Sequence, residues 1–308
     1  MNLPSTSAHR IGIDLGGTKI AGILLDPQGR SIGEARVNTP RGDYEATLNA
    51  IAEMVAALMA RAGVDEATVG IGIPGSISPK TGRVQNGNST WLNGRPLSED
   101  LARRLRQPLR LENDANCFAL SEAADGAAAG ARSVFGVILG TGCGGGFVAD
   151  GRLLNGPRRI FAEWGHMPLP WPKKEEVPGP VCWCGRHGCM ETWVSGPAIE
   201  GQYAEATGQR LTATLVATRA ASDSVAGVVM EDHADRLARG LAAIVNILDP
   251  EVIVLGGGLS KMDHLYAELP GRMAPLIFSV DTSVDIRRPA HGPESGVRGA
   301  ARLWDATG

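Results

Sequence analysis

The sequence has no apolar run of the roughly 20 residues that a membrane-spanning helix requires. Its first ten residues, MNLPSTSAHR, lack the apolar segment of a signal peptide, and we expect residues 1–10 to be a disordered extension. No charge of one sign dominates, because 30 Lys and Arg stand against 33 Asp and Glu. The net charge of −3 argues against nucleic-acid or anionic-membrane partners. Because the sequence shows neither a membrane-spanning run nor a signal peptide, we expect a cytoplasmic protein.

Cysteine is scarce, with five residues, and only three of them cluster, in the segment CWCGRHGCMETW at 182–193. Structural disulfides are rare in the cytosol, whereas a trio of thiolates is typical of zinc, which prefers four Cys or His ligands. We take His166 as the fourth ligand, because His187 would have to turn inward within a very short loop. A reduced loop without metal is the alternative. The three clustered cysteines are Cys182, Cys184 and Cys189; Cys117 and Cys143 are interpreted as small buried residues.

The chain is long enough for two domains, and its pattern alternates strands with helices, which predicts an α/β fold. Helical spacing of apolar residues predicts helices over 42–63, about 225–248, about 262–274 and 295–304. The segments at 11–29 and 135–151 repeat one order of strand, glycine turn, strand and turn. Two copies of one unit predict two related lobes that face a cleft.

Three glycine-rich turns follow predicted strands. They are Asp14-Leu15-Gly16-Gly17-Thr18-Lys19, Gly140-Thr141-Gly142 and Gly256-Gly257-Gly258. Backbone N–H groups without a neighbouring Cβ can converge on phosphate oxygens. The turns lack the spacing of a Walker A loop, and the first leads into a strand. One such turn is typical of a hairpin, but two similar units with a third triplet indicate phosphate binding.

The segment ENDAN places Asp114 where a predicted strand meets a predicted helix. A carboxylate at such a junction can act as a general base on a hydroxyl, or it can cap the helix that follows. The local sequence favours neither interpretation.

In this order along the chain, the motifs DLGGTK, GIPGSI, NDAN, LGTGCGGG, EWGH, CWCGRHGCMET and VIVLGGG resemble the ROK family of sugar kinases. The resemblance covers nearly the whole chain after residue 10. It implies the two-lobed actin/hexokinase-like (ribonuclease H-like) ATPase fold with a central cleft. The implied borders are a small lobe at 11–118, a large lobe with the zinc loop at 119–294, and a helix at 295–308 that packs back on the small lobe.

By this resemblance, the first two glycine turns hold the ATP phosphates and the third passes close to the adenosine. Asp14 helps to position Mg²⁺ through water, because Mg²⁺ usually keeps several waters. The alternative for Asp14 is a turn-capping role. Thr18 and Lys19 are expected to contact phosphate, with Lys19 pointing to solvent as its alternative.

The resemblance also assigns the acceptor side. Asp114 is the general base, and the sugar-binding residues are Gly75, Asn113, Asp114, Glu163, His166 and Glu191. The implied zinc site is structural, formed by His166, Cys182, Cys184 and Cys189. His166 would ligate zinc with one ring nitrogen and face the sugar with the other. The alternative to sugar binding by Glu163 and Glu191 is that each forms a salt bridge on the surface.

The segments NSTWLNG at 88–94 and PLPW at 168–171 resemble the fructokinase (manno(fructo)kinase) branch. We therefore expect a homodimer that makes fructose 6-phosphate from fructose and ATP. Glucokinase, mannokinase and N-acylhexosamine kinase activities are the alternatives. Sugar-responsive repressors of the family carry a helix-turn-helix domain of roughly 60–80 residues before the first glycine turn. Only ten residues precede the first strand here, so we expect an enzyme rather than a regulator.

Overall fold

The chain forms two five-stranded sheets and divides into two compact units in the structure, a computed structural model that describes residues 8–305. The first unit comprises the residues up to Ala129, Gly146–Phe161 and the residues from Pro293 onward. The second unit comprises Gly130–Gly145 and Ala162–Gly292. Among the described residues, no helix is both long and apolar enough to span a membrane.

Among residues 8–305, the first unit contains the first sheet, a two-stranded hairpin and four α-helices. Its strands are β1 His9–Leu15, β2 Lys19–Leu25, β3 Ser31–Asn38, β4 Ala67–Ile73, β5 Ser76–Ile77, β6 Val84–Gln85 and β7 Leu109–Asn113. Its helices are α1 Tyr44–Ala62, α2 Leu97–Leu105, α3 Asp114–Ala124 and α9 Ser295–Arg302. The main sheet has the order β3-β2-β1-β4-β7, in which β1 is antiparallel to β2 and parallel to β4. Strands β4 and β7 are parallel, and the candidate site is built from the residues at their ends, Gly75 after β4 and Asn113 and Asp114 at the end of β7.

Helix α1 shows why the periodic pattern predicted this unit well. Its buried residues, which include Leu48, Ile51 and Leu58, recur at helical spacing and join the core of the first sheet. The side chain of Asp43 accepts a hydrogen bond from the Ala46 N–H at 3.0 Å and begins the helix. Gly63 ends it in the left-handed conformation. The helix predicted over 42–63 is therefore confirmed.

The second sheet has the order β10-β9-β8-β11-β12. Its strands are β8 Ser133–Leu139, β9 Cys143–Ala149, β10 Arg152–Leu153, β11 Val252–Gly256 and β12 Ile286–Arg287. The helices of the second unit are α4 Glu191–Val194, α5 Gly196–Thr207, α6 Ala213–Arg219, α7 Ser224–Leu248 and α8 Asp263–Met273. Strand β11 runs parallel to both β8 and β12. The helices predicted near 225–248 and 262–274 correspond to α7 and α8.

The structure divides the chain differently from the predicted borders. Strand β1 begins at His9, because Arg10 already pairs with both β2 and β4, and residues 1–7 of the expected extension lie outside the described residues. The predicted lobe border at residue 118 falls inside α3, which belongs entirely to the first unit. Gly146–Phe161 also belongs to the first unit, where Gly146 packs against the start of α3.

Candidate active site

Two carboxylates of the first unit lie in each other's electrostatic field. Asp14 is near the end of β1, and Asp114 is the first residue of α3. Burial, together with the negative charge of Asp114, raises the pKa of Asp14 to about 7. Burial also raises the pKa of Asp114, although the Ala115 N–H donates to its Oδ1 at 2.8 Å. Among residues 8–305, neither carboxylate has a Lys or Arg within ion-pair distance, so this carboxylate pair fits the oxygen ligands that Mg²⁺ prefers.

Asn113, rather than Asp114, caps helix α3. Its side-chain Oδ1 accepts hydrogen bonds from the N–H groups of Ala115 at 2.9 Å and Asn116 at 3.3 Å. Its Nδ2 donates to the Gly75 carbonyl at 3.1 Å. The capping alternative for Asp114 is therefore wrong, and a further hydrogen bond from the Asn113 side chain reaches Asp114 itself.

Glu112 stabilises the junction between β7 and α3 through hydrogen bonds, a role that the sequence did not indicate. Its Oε1 accepts from the Asn113 N–H at 2.9 Å and from Asn116 Nδ2 at 3.0 Å. Its Oε2 accepts from Asn155 Nδ2 at 2.6 Å and Arg159 Nη1 at 3.1 Å. The buried carboxylate thus fixes the backbone that carries Asn113 and Asp114.

Gly75 has a structural reason to be glycine. Its φ is +77°, and a Cβ there would overlap the Gln85 carbonyl oxygen of the β5–β6 hairpin. The expected approach of a sugar to this backbone is thus not needed to explain the residue.

The first glycine turn joins β1 to β2 and is braced from one side. The Gly16 N–H donates to the Lys19 carbonyl at 3.0 Å, and the Thr39 hydroxyl donates to the Gly16 carbonyl at 2.7 Å. Thr18 and Lys19 are exposed, and Gly17 is partly exposed. This turn therefore presents backbone and side-chain donors to solvent, as a phosphate contact requires.

The other two turns lie in the second unit. In Gly140–Gly142 the Gly140 N–H donates to the Gly142 carbonyl at 3.0 Å, and Thr141 is exposed. This turn joins β8 to β9 as the first turn joins β1 to β2, so the predicted repeat is present. Gly256–Gly258 follows β11 and enters a short 3₁₀ turn at Gly258–Lys261.

Three cysteines and one histidine of the second unit form a closed cluster. The donor atoms of His166, Cys182, Cys184 and Cys189 all lie within 4.8 Å of one another. His166 Nδ1 is 3.6 Å from Cys182 Sγ, and Cys184 Sγ is 3.7 Å from Cys189 Sγ. Tetrahedral zinc with Zn–S bonds of about 2.3 Å separates its sulfur ligands by about 3.8 Å. These residues fit a structural zinc ion, and they include His166 rather than His187.

Glu163 and Glu191 flank this cluster in the chain. Glu163 precedes the 3₁₀ turn Trp164–His166, and its carbonyl accepts from the His166 N–H at 3.1 Å. Glu191 begins α4 two residues after Cys189. Its Oε2 accepts from the Cys143 N–H at 2.9 Å, and its Oε1 accepts from Trp183 Nε1 at 2.6 Å. The family resemblance implied Glu163 and Glu191 as sugar ligands, but no pattern in the sequence indicated the contact of Glu191 with Trp183.

Comparisons with known proteins agree with this arrangement. A family model described as "ROK family" matches residues 10–307. N-acetyl-D-glucosamine kinase from Shigella flexneri is 40% identical over 297 residues, which cover 95% of this chain and 98% of that kinase. The kinase of the same name from Yersinia pseudotuberculosis is 38% identical over 297 residues, which cover 95% of this chain and 97% of that kinase.

Solved structures of ROK family kinases are also similar to this chain. ROK hexokinase from Thermus thermophilus has a TM-score of 0.84 at 32% identity, covering 97% of this chain and 100% of that one. ROK family glucokinase from Streptomyces griseus, in complex with glucose and AMPPNP, has a TM-score of 0.79 at 29% identity, covering 96% and 98%. The actin/hexokinase-like fold is confirmed, whereas the expected fructokinase branch stays a prediction. The chain belongs to the ROK family, and it is a sugar kinase.

Proposed function

We propose that this kinase transfers the γ-phosphoryl group of ATP to the 6-hydroxyl of N-acetyl-D-glucosamine. The observation that carries the chemistry is Asp114, a carboxylate without a Lys or Arg partner among the described residues, at the first position of α3. Burial raises its pKa, which makes its ionised form a stronger base toward a sugar hydroxyl. The Asn113 cap and Glu112 hold its backbone in place.

Phosphoryl transfer depends on positioning and charge neutralisation, since little covalent chemistry is left to the protein. In this proposal the Gly16–Lys19 and Gly140–Gly142 turns bind the ATP phosphates through backbone N–H groups, and Gly256–Gly258 lies near the adenosine. Mg²⁺ would supply positive charge to the transferring phosphoryl group. Asp14 would hold it through water, and that cation would relieve the repulsion between Asp14 and Asp114.

In the first unit, we assign Asn113 and the Gly75 backbone to the sugar. In the second unit, we assign Glu163, His166 and Glu191 to its hydroxyls. Zinc at the cysteine cluster would take the Nδ1 side of His166, which faces the Cys182 sulfur, and leave Nε2 for the sugar. The ion would thereby fix both the tautomer and the orientation of the ring.

The choice of N-acetyl-D-glucosamine over fructose is supported by two observations. The relatives at 38–40% identity over 95% of the chain are named as N-acetyl-D-glucosamine kinases. The segment NSTWLNG, on which the expectation of fructose was based, contains residues with structural roles. Asn93 exchanges two hydrogen bonds with the Gly87 backbone, at 2.9 and 2.8 Å, and Leu92 is buried in the core.

The test is ADP release from Mg-ATP with N-acetyl-D-glucosamine, fructose, glucose, mannose and N-acetylmannosamine. We expect kcat/KM to be highest for N-acetyl-D-glucosamine. Asp114→Asn keeps the shape and the capped helix but removes the base, so its kcat should fall at least about 100-fold. A preference for fructose would replace the substrate but keep the mechanism. Wild-type turnover in Asp114→Asn would contradict the assignment of the base.

A further inference from the structure

The carboxylate of Glu191 is held at both oxygens by groups from two different segments. The indole N–H of Trp183 donates to Oε1 at 2.6 Å, and the backbone N–H of Cys143 donates to Oε2 at 2.9 Å. Trp183 lies between the first two cysteines of the candidate zinc site. Cys143 directly follows the Gly140–Gly142 turn. One carboxylate therefore connects the metal-binding loop to the second glycine turn, and all of these residues belong to the second unit.

Trp183 is ordered by its contacts although its surface is 56% exposed. Its ring packs edge-on against the His166 ring, with centroids 5.0 Å apart and planes at 81°. Its N–H donates to an acidic side chain, and a hydrogen bond to a carboxylate is shorter and stronger than one between neutral groups. The indole thus joins a candidate zinc ligand to a candidate sugar ligand.

We infer that Trp183 is a positioning residue, which fixes the Glu191 carboxylate and thereby couples the metal-binding loop to the Gly140–Gly142 turn. The inference rests on the proposed function, in which Glu191 binds the sugar and the turn binds phosphate. Each carboxylate oxygen accepts one hydrogen bond from the protein and retains acceptor capacity for a sugar hydroxyl. Displacement of the metal-binding loop would move the Glu191 carboxylate and break its hydrogen bond with the Cys143 N–H. It would therefore weaken the binding of both the sugar and the nucleotide.

Gly142 provides a second substitution site next to the same carboxylate, at Oε2 rather than at the Oε1 that Trp183 contacts. A Cβ at this position would lie 2.7 Å from Glu191 Oε2, closer than real contacts allow. The backbone of Gly142 is not in the left-handed region, so alanine is strained there only by the carboxylate. Gly142→Ala therefore displaces Glu191 without touching Trp183 or the cysteines.

The test compares Trp183→Phe with wild type by calorimetric titration of N-acetyl-D-glucosamine alone and of Mg-ADP alone. Phenylalanine keeps a ring beside His166 but removes the donor. Loss of one partly exposed hydrogen bond to a charged group should raise both Kd values about three- to tenfold. Bound zinc should stay at the wild-type level. Trp171→Phe is the matched control, since Trp171 is 50% exposed in the same unit, and both its Kd values should equal those of wild type.

A double-mutant cycle with Gly142→Ala tests whether both changes act through Glu191. We expect the effects on sugar Kd to be non-additive, because the second substitution displaces a carboxylate that the first has already released. Unchanged Kd values in Trp183→Phe, a rise for the sugar alone, or additive effects would each overturn the coupling. Failure of the proposed function is a separate result, namely wild-type protein that phosphorylates none of the five sugars. The Mg-ADP titration still tests the coupling in that case, because it needs no turnover.

Discussion

The position of Asp114 within α3 explains why its carboxylate suits base catalysis. Asn113 accepts hydrogen bonds from the N–H groups of Ala115 and Asn116, so the helix cap does not depend on the Asp114 carboxylate, which itself accepts from the Ala115 N–H. Burial then raises its pKa, and no Lys or Arg within residues 8–305 forms an ion pair that opposes the shift. A base with a raised pKa takes a hydroxyl proton more readily, provided that the pH keeps it ionised.

A pH profile should record this raised pKa. Because the base must be ionised, kcat/KM should fall as the pH is lowered through the Asp114 pKa, on an acidic limb above the ordinary aspartate value of 3.8. The measurement is the initial rate of ADP release with N-acetyl-D-glucosamine across the pH range, with bound zinc determined at each pH. The residual activity of Asp114→Asn should lack this limb. The same limb in the variant would show that another group titrates, and the first candidate is Asp14, whose pKa is raised to about 7 by burial and by the charge of Asp114.

At the residue scale, the sequence indicated candidate site residues but not the side chains that support them. Asp14, Asp114 and the cysteine ligands stand in local motifs that carry their chemistry. The role of Glu112 is not visible in the sequence, because its partners Asn155 and Arg159 lie 43 and 47 positions away in the chain. A local pattern contains no information about pairs that only the tertiary structure brings together.

At the element scale, the segment at 170–181 is rich in proline and charged residues, as a surface loop is, yet it contains a buried ionic cluster. Glu176 is buried in it, and its Oε1 accepts from Arg236 Nε and Arg239 Nη2, both at 2.8 Å. Its Oε2 accepts from Arg239 Nη1 and from the Lys173 N–H, also at 2.8 Å. The two arginines belong to α7, so this cluster attaches the loop before Cys182 to the long helix. Buried and solvated charges look alike in a sequence, so the local pattern does not distinguish this cluster from the charges of a surface loop.

Glu176→Gln should therefore lower the free energy of unfolding by about 3 kcal/mol, because it removes the buried carboxylate shared by Arg236 and Arg239 and leaves them only the more exposed partners Asp232 and Asp235. Burial alone would raise the Glu176 pKa, but the hydrogen bonds from Arg239 and Arg236 outweigh it and lower the pKa to about 2. The advantage of wild type over the variant should thus be complete above pH 4.5 and disappear as the pH falls toward 2.

Urea titrations at several pH values would measure this difference. Glu175→Gln is the matched control, since Glu175 occupies the same 3₁₀ turn but is exposed, and its unfolding should match wild type. Equal losses of stability in the two variants would contradict a role for the buried cluster.

At the scale of the whole molecule, the order of strands and helices was predictable, whereas the course of the chain between the units was not. Periodicity and glycine turns indicated each element, and the family resemblance supplied the fold. The segment Gly146–Phe161 returns to the first unit because Gly146 packs closely on Ala115 and Asn116. Such packing depends on the absence of a side chain, and a glycine in a strand gives the same signal whether it faces a ligand, a helix or a turn. The expected homodimer stays a prediction.

The return of α9 to the first unit depends on glycines of this kind. Gly12 of β1 and Gly70 of β4 are paired across the sheet, and α9 crosses directly over them. A Cβ on Gly12 would overlap the Val297 carbonyl oxygen, and one on Gly70 would overlap that of Ala300. The helix backbone therefore lies against the sheet backbone, an approach that alanine would prevent.

Gly70→Ala should consequently lower the free energy of unfolding by about 3 kcal/mol, since the backbone of α9 has to move away from the sheet. Gly201→Ala is the matched control, because Gly201 lies exposed within α5 and a Cβ there meets no atom within 4 Å. That control should gain about 0.5–1 kcal/mol from the higher helix propensity of alanine. Thermal and urea unfolding of both variants, followed by far-ultraviolet circular dichroism, measure the two effects. Wild-type stability in Gly70→Ala would mean that the contact of α9 with this pair of glycines does not contribute to stability.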